Sequence, residues 1–79
     1  MSYPLTKPPT FEEFLNKLNK NYECSITKTR IPDILKIQLN SKFITLKSRN
    51  KDDFIEWNII HYVCENLNLP KEDFGLYLN

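Results

Sequence analysis

Apolar residues first recur at helical spacing: Phe11, Phe14, Leu15 and Leu18 fall on one narrow face, opposite Glu12, Glu13, Asn16, Lys17 and Lys20. Thr10 precedes this run and Glu13 follows three positions later. That is capping-box spacing, in which each of the two residues accepts a backbone N–H from the other. Pro9 and Phe14 are spaced as a hydrophobic staple across the same helix start. Residues 22–29 then change period to two, with Tyr22, Cys24 and Ile26 on one side and Glu23, Ser25, Thr27 and Thr29 on the other. The pattern predicts a strand with one buried face, ended by Ile31, Pro32 and Asp33. Residues 34–39 and 42–47 flank Asn40 and Ser41 as a two-residue hairpin. In that register Leu35, Ile37 and Leu39 oppose Leu46, Ile44 and Lys42 on the core face. The other face carries Ile34, Lys36, Gln38, Phe43, Thr45 and Lys47, leaving Phe43 an exposed aromatic among polar and basic neighbours.

Asn50 is the predicted cap of a long helix, with Asp52 and Asp53 in its first turn and an end near Leu67. On a helical wheel Ile55, Ile59, Tyr62 and Val63 form one apolar stripe, and Trp57, Ile60, Cys64 and Leu67 a second beside it. Asn58, His61 and Glu65 mark the polar line. One stripe packs on the sheet. The second needs the N-terminal helix, a partner or another copy of the chain, which makes Trp57, Ile60, Cys64 and Leu67 a candidate oligomer seam. Pro70 closes this helix or opens a short turn, and Gly75 allows a backbone conformation that other residues avoid. Residues 76–78 are predicted to run extended. The expected fold class is therefore a small α+β domain over residues 10–79: helix, three-strand antiparallel meander, long helix and short C-terminal strand. Residues 1–9, with three prolines and no apolar period, read as an extended arm.

Composition narrows the function classes. At 79 residues, 41% apolar and 27% charged, the chain has room for one core and is too apolar for disorder. Its net charge of +1 argues against the broad phosphate-neutralising surface of a general nucleic-acid binder. The first residues lack the apolar run of a signal peptide, and no run approaches a membrane span, so a cytoplasmic setting is expected. The two cysteines, Cys24 on the alternating strand and Cys64 on an apolar helix face, read as small buried hydrophobes rather than a disulfide. Alanine is absent, so the helices must rely on packing and caps.

Little points to catalysis. His61 is the sole histidine, and the spacing sets up no second imidazole, paired carboxylate or base beside a cysteine. The neighbouring acids Glu12–Glu13 and Asp52–Asp53 point apart on a helix and serve its start. The chain's single glycine makes no phosphate cradle. No enzymatic activity, cofactor or metal is therefore expected. The basic positions are more informative. Lys36, Lys42, Lys47 and Arg49 lie along the hairpin and Lys51 follows, so that with Phe43 and Thr45 they form a candidate positive rim beside a strand edge.

Taken together, residues 35–47, the long helix, Leu69-Pro70 and Asp73-Phe74-Gly75-Leu76-Tyr77-Leu78 resemble the first four elements of a ubiquitin-like β-grasp domain. The similarity is closest to the N-terminal lobes of FERM-type proteins, including the leading lobe of the talin head. In these lobes a helix is followed by an Asp-Phe-Gly-Leu-like strand. The resemblance covers just over half of the chain. The family's two further strands are absent, so an incomplete or rearranged β-grasp is expected, with the strand 22–29 joined by an antiparallel hairpin. The resemblance implies a non-enzymatic interaction module that docks a Ras-family GTPase, or a cytoskeletal or membrane-associated partner, through Lys36, Lys42, Phe43, Thr45, Lys47, Arg49 and Lys51. An anionic membrane surface is a further expected partner of such a rim. The element order also resembles the αβββα order of double-stranded-RNA-binding domains and of toxin ribonucleases sharing their architecture. Their basic cluster at the last helix start is missing, since Asp52 and Asp53 follow Lys51, and so is a Gly-Ser-x-His-like loop. RNA binding is thus the alternative reading.

Overall fold

A computed structural model describes residues 4–76. Its elements are α1 (Phe11–Tyr22), β1 (Ser25–Lys28), β2 (Ile34–Leu39), β3 (Lys42–Lys47), α2 (Trp57–Leu67) and a 3-10 turn at Lys71–Phe74. Among the described residues the sheet is an antiparallel meander of order β1-β2-β3. The chain is a small α+β domain, as its pattern predicts.

The capping box forms as expected: the Thr10 hydroxyl accepts the Glu13 N–H at 3.2 Å, and the Glu13 carboxylate accepts the Thr10 N–H at 2.9 Å. Phe11, Phe14 and Leu18 are buried and Leu15 is half-buried beside them. The hairpin register is also the predicted one, pairing Leu35 with Leu46, Ile37 with Ile44 and Leu39 with Lys42. Asn40 takes the left-handed conformation that the tight turn demands, with φ of 56°. Side chains alternate across a strand, so burial of Ile37 and Ile44 puts their neighbours on the opposite, solvent side. Both helices cover the core face, α1 packing on β1 and α2 on β3. Each fully buried Leu, Ile or Phe contributes about 2 kcal/mol of transfer free energy.

Four expectations need correction. The first strand starts at Ser25, not Tyr22. Tyr22 is the last residue of α1, Glu23 caps it with φ of 58°, and the Cys24 N–H turns back to the Leu18 carbonyl at 3.1 Å. The long helix begins at Trp57, with Glu56 as its cap, and not after Asn50. The cause is tertiary. Within residues 50–56 the Asp53 carbonyl accepts the Phe11 N–H at 2.7 Å and the Lys51 carbonyl accepts the Glu12 N–H at 3.1 Å. These are first-turn donors of α1, which have no partner inside their own helix. The Ile55 N–H in turn donates to the Pro9 carbonyl at 3.0 Å. A helix through residues 51–55 would spend these groups on itself, and Asp52 and Asp53 therefore serve no helix start.

The third correction concerns the two stripes of α2. Ile60, Val63, Cys64 and Leu67 form one buried face, while Ile59 is half-buried and Tyr62 is exposed. The core lies on one side only, so the helix turns its Val63 line inward and its Tyr62 line outward. Fourth, Asp73 and Phe74 belong to the 3-10 turn rather than a strand. Gly75 caps that turn at φ of 85°, and Leu76 is buried beyond it. The rest of the predicted C-terminal strand, residues 77–78, lies outside the described residues, as do residues 1–3 of the predicted arm.

From Thr6 to Pro9 the arm meets the domain, while Leu5 is fully exposed. The Thr6 carbonyl accepts the Trp57 indole N–H at 3.1 Å, and the Lys7 ammonium sits 5.7 Å from the Phe54 ring centroid. At the other end Phe74 packs edge-on against Phe14 and stacks on Tyr22. The Tyr22 hydroxyl donates to Asp73, and Lys17 donates to the Asp73 carbonyl. The 3-10 turn is thereby fixed against α1.

Candidate docking surface

The side of the sheet away from the helices is open. Three rows cross it: Ser25, Gln38 and Phe43; Thr27, Lys36 and Thr45; and Ile34 with Lys47. None of these eight residues is acidic. Phe43 is 57% exposed, and the Lys36 ammonium stands 4.6 Å from its ring centroid. This cation–π contact links adjacent strands and holds Lys36 over the aromatic. The pattern therefore identified Lys36, Phe43, Thr45 and Lys47 as neighbours on one face, and they are.

The remaining predicted rim residues go elsewhere. Lys42 pairs with Leu39 and projects to the core side, where it borders a shallow cleft with Leu67 and Asn68 at the end of α2. Arg49 is paired with Glu56. The Glu56 carboxyl is held below its usual range, first by its own backbone N–H and then by the Arg49 side chain. Lys51 is exposed, but its carbonyl is committed to the start of α1. One continuous rim is therefore replaced by a compact face centred on Phe43. The sequence places the cations in order along the chain, but β-strand alternation and a local ion pair separate them in space.

The candidate seam is also displaced. Ile60, Cys64 and Leu67 are within 2% of complete burial in the domain's own core. Trp57 is half-buried against Gly75 and bonded to Thr6. Ile60, Cys64 and Leu67 are therefore spent on the domain's own core, and of the four only Trp57 keeps a partly exposed surface.

Hydrogen-bond parity determines what the β3 edge offers. The Ser48 N–H donates to the Asp33 carbonyl at 2.6 Å, and Leu39 pairs with Lys42 across the two-residue turn. Antiparallel pairs alternate between bonded and non-bonded, so Lys42, Ile44 and Leu46 turn their backbone groups toward β2. Phe43, Thr45 and Lys47 then turn theirs outward, to the side where no described strand pairs. On β1 the same parity, fixed by the 3.1 Å bond from the Thr29 N–H to the Ile34 carbonyl, leaves only Ile26 and Lys28 facing outward within that strand. The β3 edge is the longer template, and its outward residues are those that build the basic aromatic face.

The start of α2 contrasts with this face. Its cap is Glu56, preceded by Asp52 and Asp53, with Lys51 the only cation between residues 50 and 56. Among the described residues no group of His, Cys, Asp and Glu is arranged to hold a metal ion, and no helix is long and apolar enough to cross a membrane. Comparison with protein-family models, curated proteins and solved structures returned no match for the chain.

Proposed function

We propose that the domain is a non-enzymatic interaction module that docks a protein partner by strand addition to β3. The supporting observation is the coincidence, on Phe43, Thr45 and Lys47, of outward backbone groups with an acid-free aromatic and basic face. Backbone pairing supplies affinity without demanding a particular sequence, and side chains beside the edge select the partner. Lys36 and Lys47 favour acidic residues and steer their approach. A GTP-loaded Ras-family GTPase is the partner to titrate first, because the ubiquitin-like resemblance leads to it.

The test pairs that titration with selection of a displayed random-peptide library, using the wild-type domain and Thr45→Pro. The Thr45 N–H faces outward, so proline removes the docking donor and no bond within the sheet. Edge docking predicts NMR shifts at Phe43, Thr45 and Lys47 and loss of binding in Thr45→Pro, whose retained amide dispersion reports folding. Ligands that bind Thr45→Pro equally well, or shifts confined elsewhere, refute the reading. Retardation of duplex RNA with a steep salt dependence would favour the RNA-binding alternative instead.

A further inference from the structure

An additional strand on β3 would have two faces, and the face toward the helices has its own wall. The orientation of α2 follows from its neighbours. Its first residues lie near the end of β3, where Arg49 meets Glu56, and its last lie near Lys42 at the beginning of β3. It therefore runs antiparallel to β3 while packing on it. The Trp57 side of the helix meets Gly75, and Glu65 meets Lys71 in the 3-10 turn. That turn is held against α1, which covers β1. The Trp57 side thus faces the β1 half of the domain.

Helical geometry puts Ile59 and Tyr62 on the opposite side, above the edge of β3 that no described strand pairs. Ile59 is half-buried, and Tyr62 is 44% exposed. Beneath them Ile44 and Leu46 point to the same side of the sheet from within β3. In an added strand, residues opposite Phe43, Thr45 and Lys47 would share the open basic face. Those between them, opposite Ile44 and Leu46, would lie under Ile59 and Tyr62.

We infer that the segment docking at β3 is an extended stretch of a partner protein with alternating acidic and apolar residues, its apolar side chains seated against Ile59 and Tyr62. The inference rests on the proposed edge docking and adds a second recognition surface to it. Charge selects one side of the incoming strand, and removal of apolar area from water selects the other. Alternation is the consequence, because successive strand residues face opposite sides. A second copy presenting its own β3 would instead extend one open face with Lys36 and Lys47 from both chains and no acid from these rows, and that like charge works against self-pairing.

The test uses a synthetic seven-residue peptide alternating glutamate and valine, and a block peptide of the same composition with all glutamates before the valines. NMR titration of the full chain measures binding to wild type, Tyr62→Ser and the double variant Ile59→Ser/Tyr62→Ser. The expected result is binding of the alternating peptide at the β3 edge, at least tenfold weaker binding of the block peptide, and a loss of at least fivefold in Tyr62→Ser. Tyr62→Ser alone keeps the test valid if the double variant unfolds. Equal binding of the two peptides, no binding of either, or unchanged affinity in Tyr62→Ser overturns the inference. Selected library peptides that need the Thr45 edge but lack alternation would do so while leaving edge docking intact. Ligands indifferent to Thr45→Pro would remove both readings. Concentration-dependent dimerisation abolished by Thr45→Pro would assign the edge to a second copy and also overturn the acidic-partner inference.

Discussion

Replacing Gly75 with alanine isolates the energetic role of the turn that delivers Leu76 to the core. Gly75 has φ of 85°, in the left-handed region, and its N–H donates to the Glu72 carbonyl at 3.2 Å. A Cβ built there would stand 3.5 Å from Trp57 Cη2 and 3.7 Å from Cζ3. Both are ordinary van der Waals separations, so the substitution introduces no steric clash and its cost is conformational. Holding an L residue in this region costs about 1–2 kcal/mol. Contact of the new methyl with the indole returns a few tenths of a kcal/mol at most. The expected net loss is about 1 kcal/mol, corresponding to roughly 4–8 °C in Tm for a domain of this size. Urea unfolding followed by fluorescence of Trp57, the chain's single tryptophan, measures it directly. The m value should remain unchanged, since the folded surface is nearly the same. Gly75→Asn should lose about half as much, because asparagine tolerates the left-handed region better. A neutral or stabilising alanine would refute the conformational argument. Equal losses for alanine and asparagine would show that crowding against Trp57, rather than φ, sets the cost.

Three further outcomes are expected. Thr10→Ala should lower stability by about 1 kcal/mol through loss of the capping hydroxyl, with Thr10→Ser restoring most of it; equal urea midpoints for wild type and alanine would contradict this. Burial first, and then the bond to Asp73, push the Tyr22 hydroxyl up to about 12 from an ordinary value of 10.0. The folded state thus retains a proton that the unfolded chain releases, so Tyr22 contributes fully below pH 10 and its contribution fades as pH rises toward 12. Tyr22→Phe should flatten that part of the stability profile relative to wild type, and an identical alkaline slope would exclude the linkage. Cys24 and Cys64 are free and buried, and burial pushes the Cys64 thiol up to about 11. A thiol reagent at pH 8 should modify them at the rate of unfolding, and both rapidly in urea; fast labelling of the native protein would count against their placement in the core.

The candidate surface was legible in part, for reasons visible in its residues. Phe43 is identifiable because the hairpin register is overdetermined: a one-residue slip of β3 against β2 would turn both Ile44 and Leu46 to the solvent face. Lys36 and Lys47 followed from the same alternation. The Arg49 ion pair is not legible because Glu56, its partner, lies seven residues away beyond a turn whose shape the local pattern does not specify. Tyr62 shares an apolar stripe with Val63 on the wheel, and a wheel position carries no information about which side of the helix lacks a neighbour.

By itself the sequence determined those features whose cause lies within a few residues or within one repeating period. The Thr10 capping box, the Asn40 turn, the pairing of Ile37 with Ile44 and the left-handed Gly75 are of this kind. Only the tertiary structure decided where α2 starts, because that depends on which donors need the carbonyls of Lys51 and Asp53, and those donors belong to α1. It likewise decided that Ile60, Cys64 and Leu67 are interior while Tyr62 is exposed. Local chemistry states what each residue is able to satisfy, and long-range competition for partners decides which of those possibilities is used.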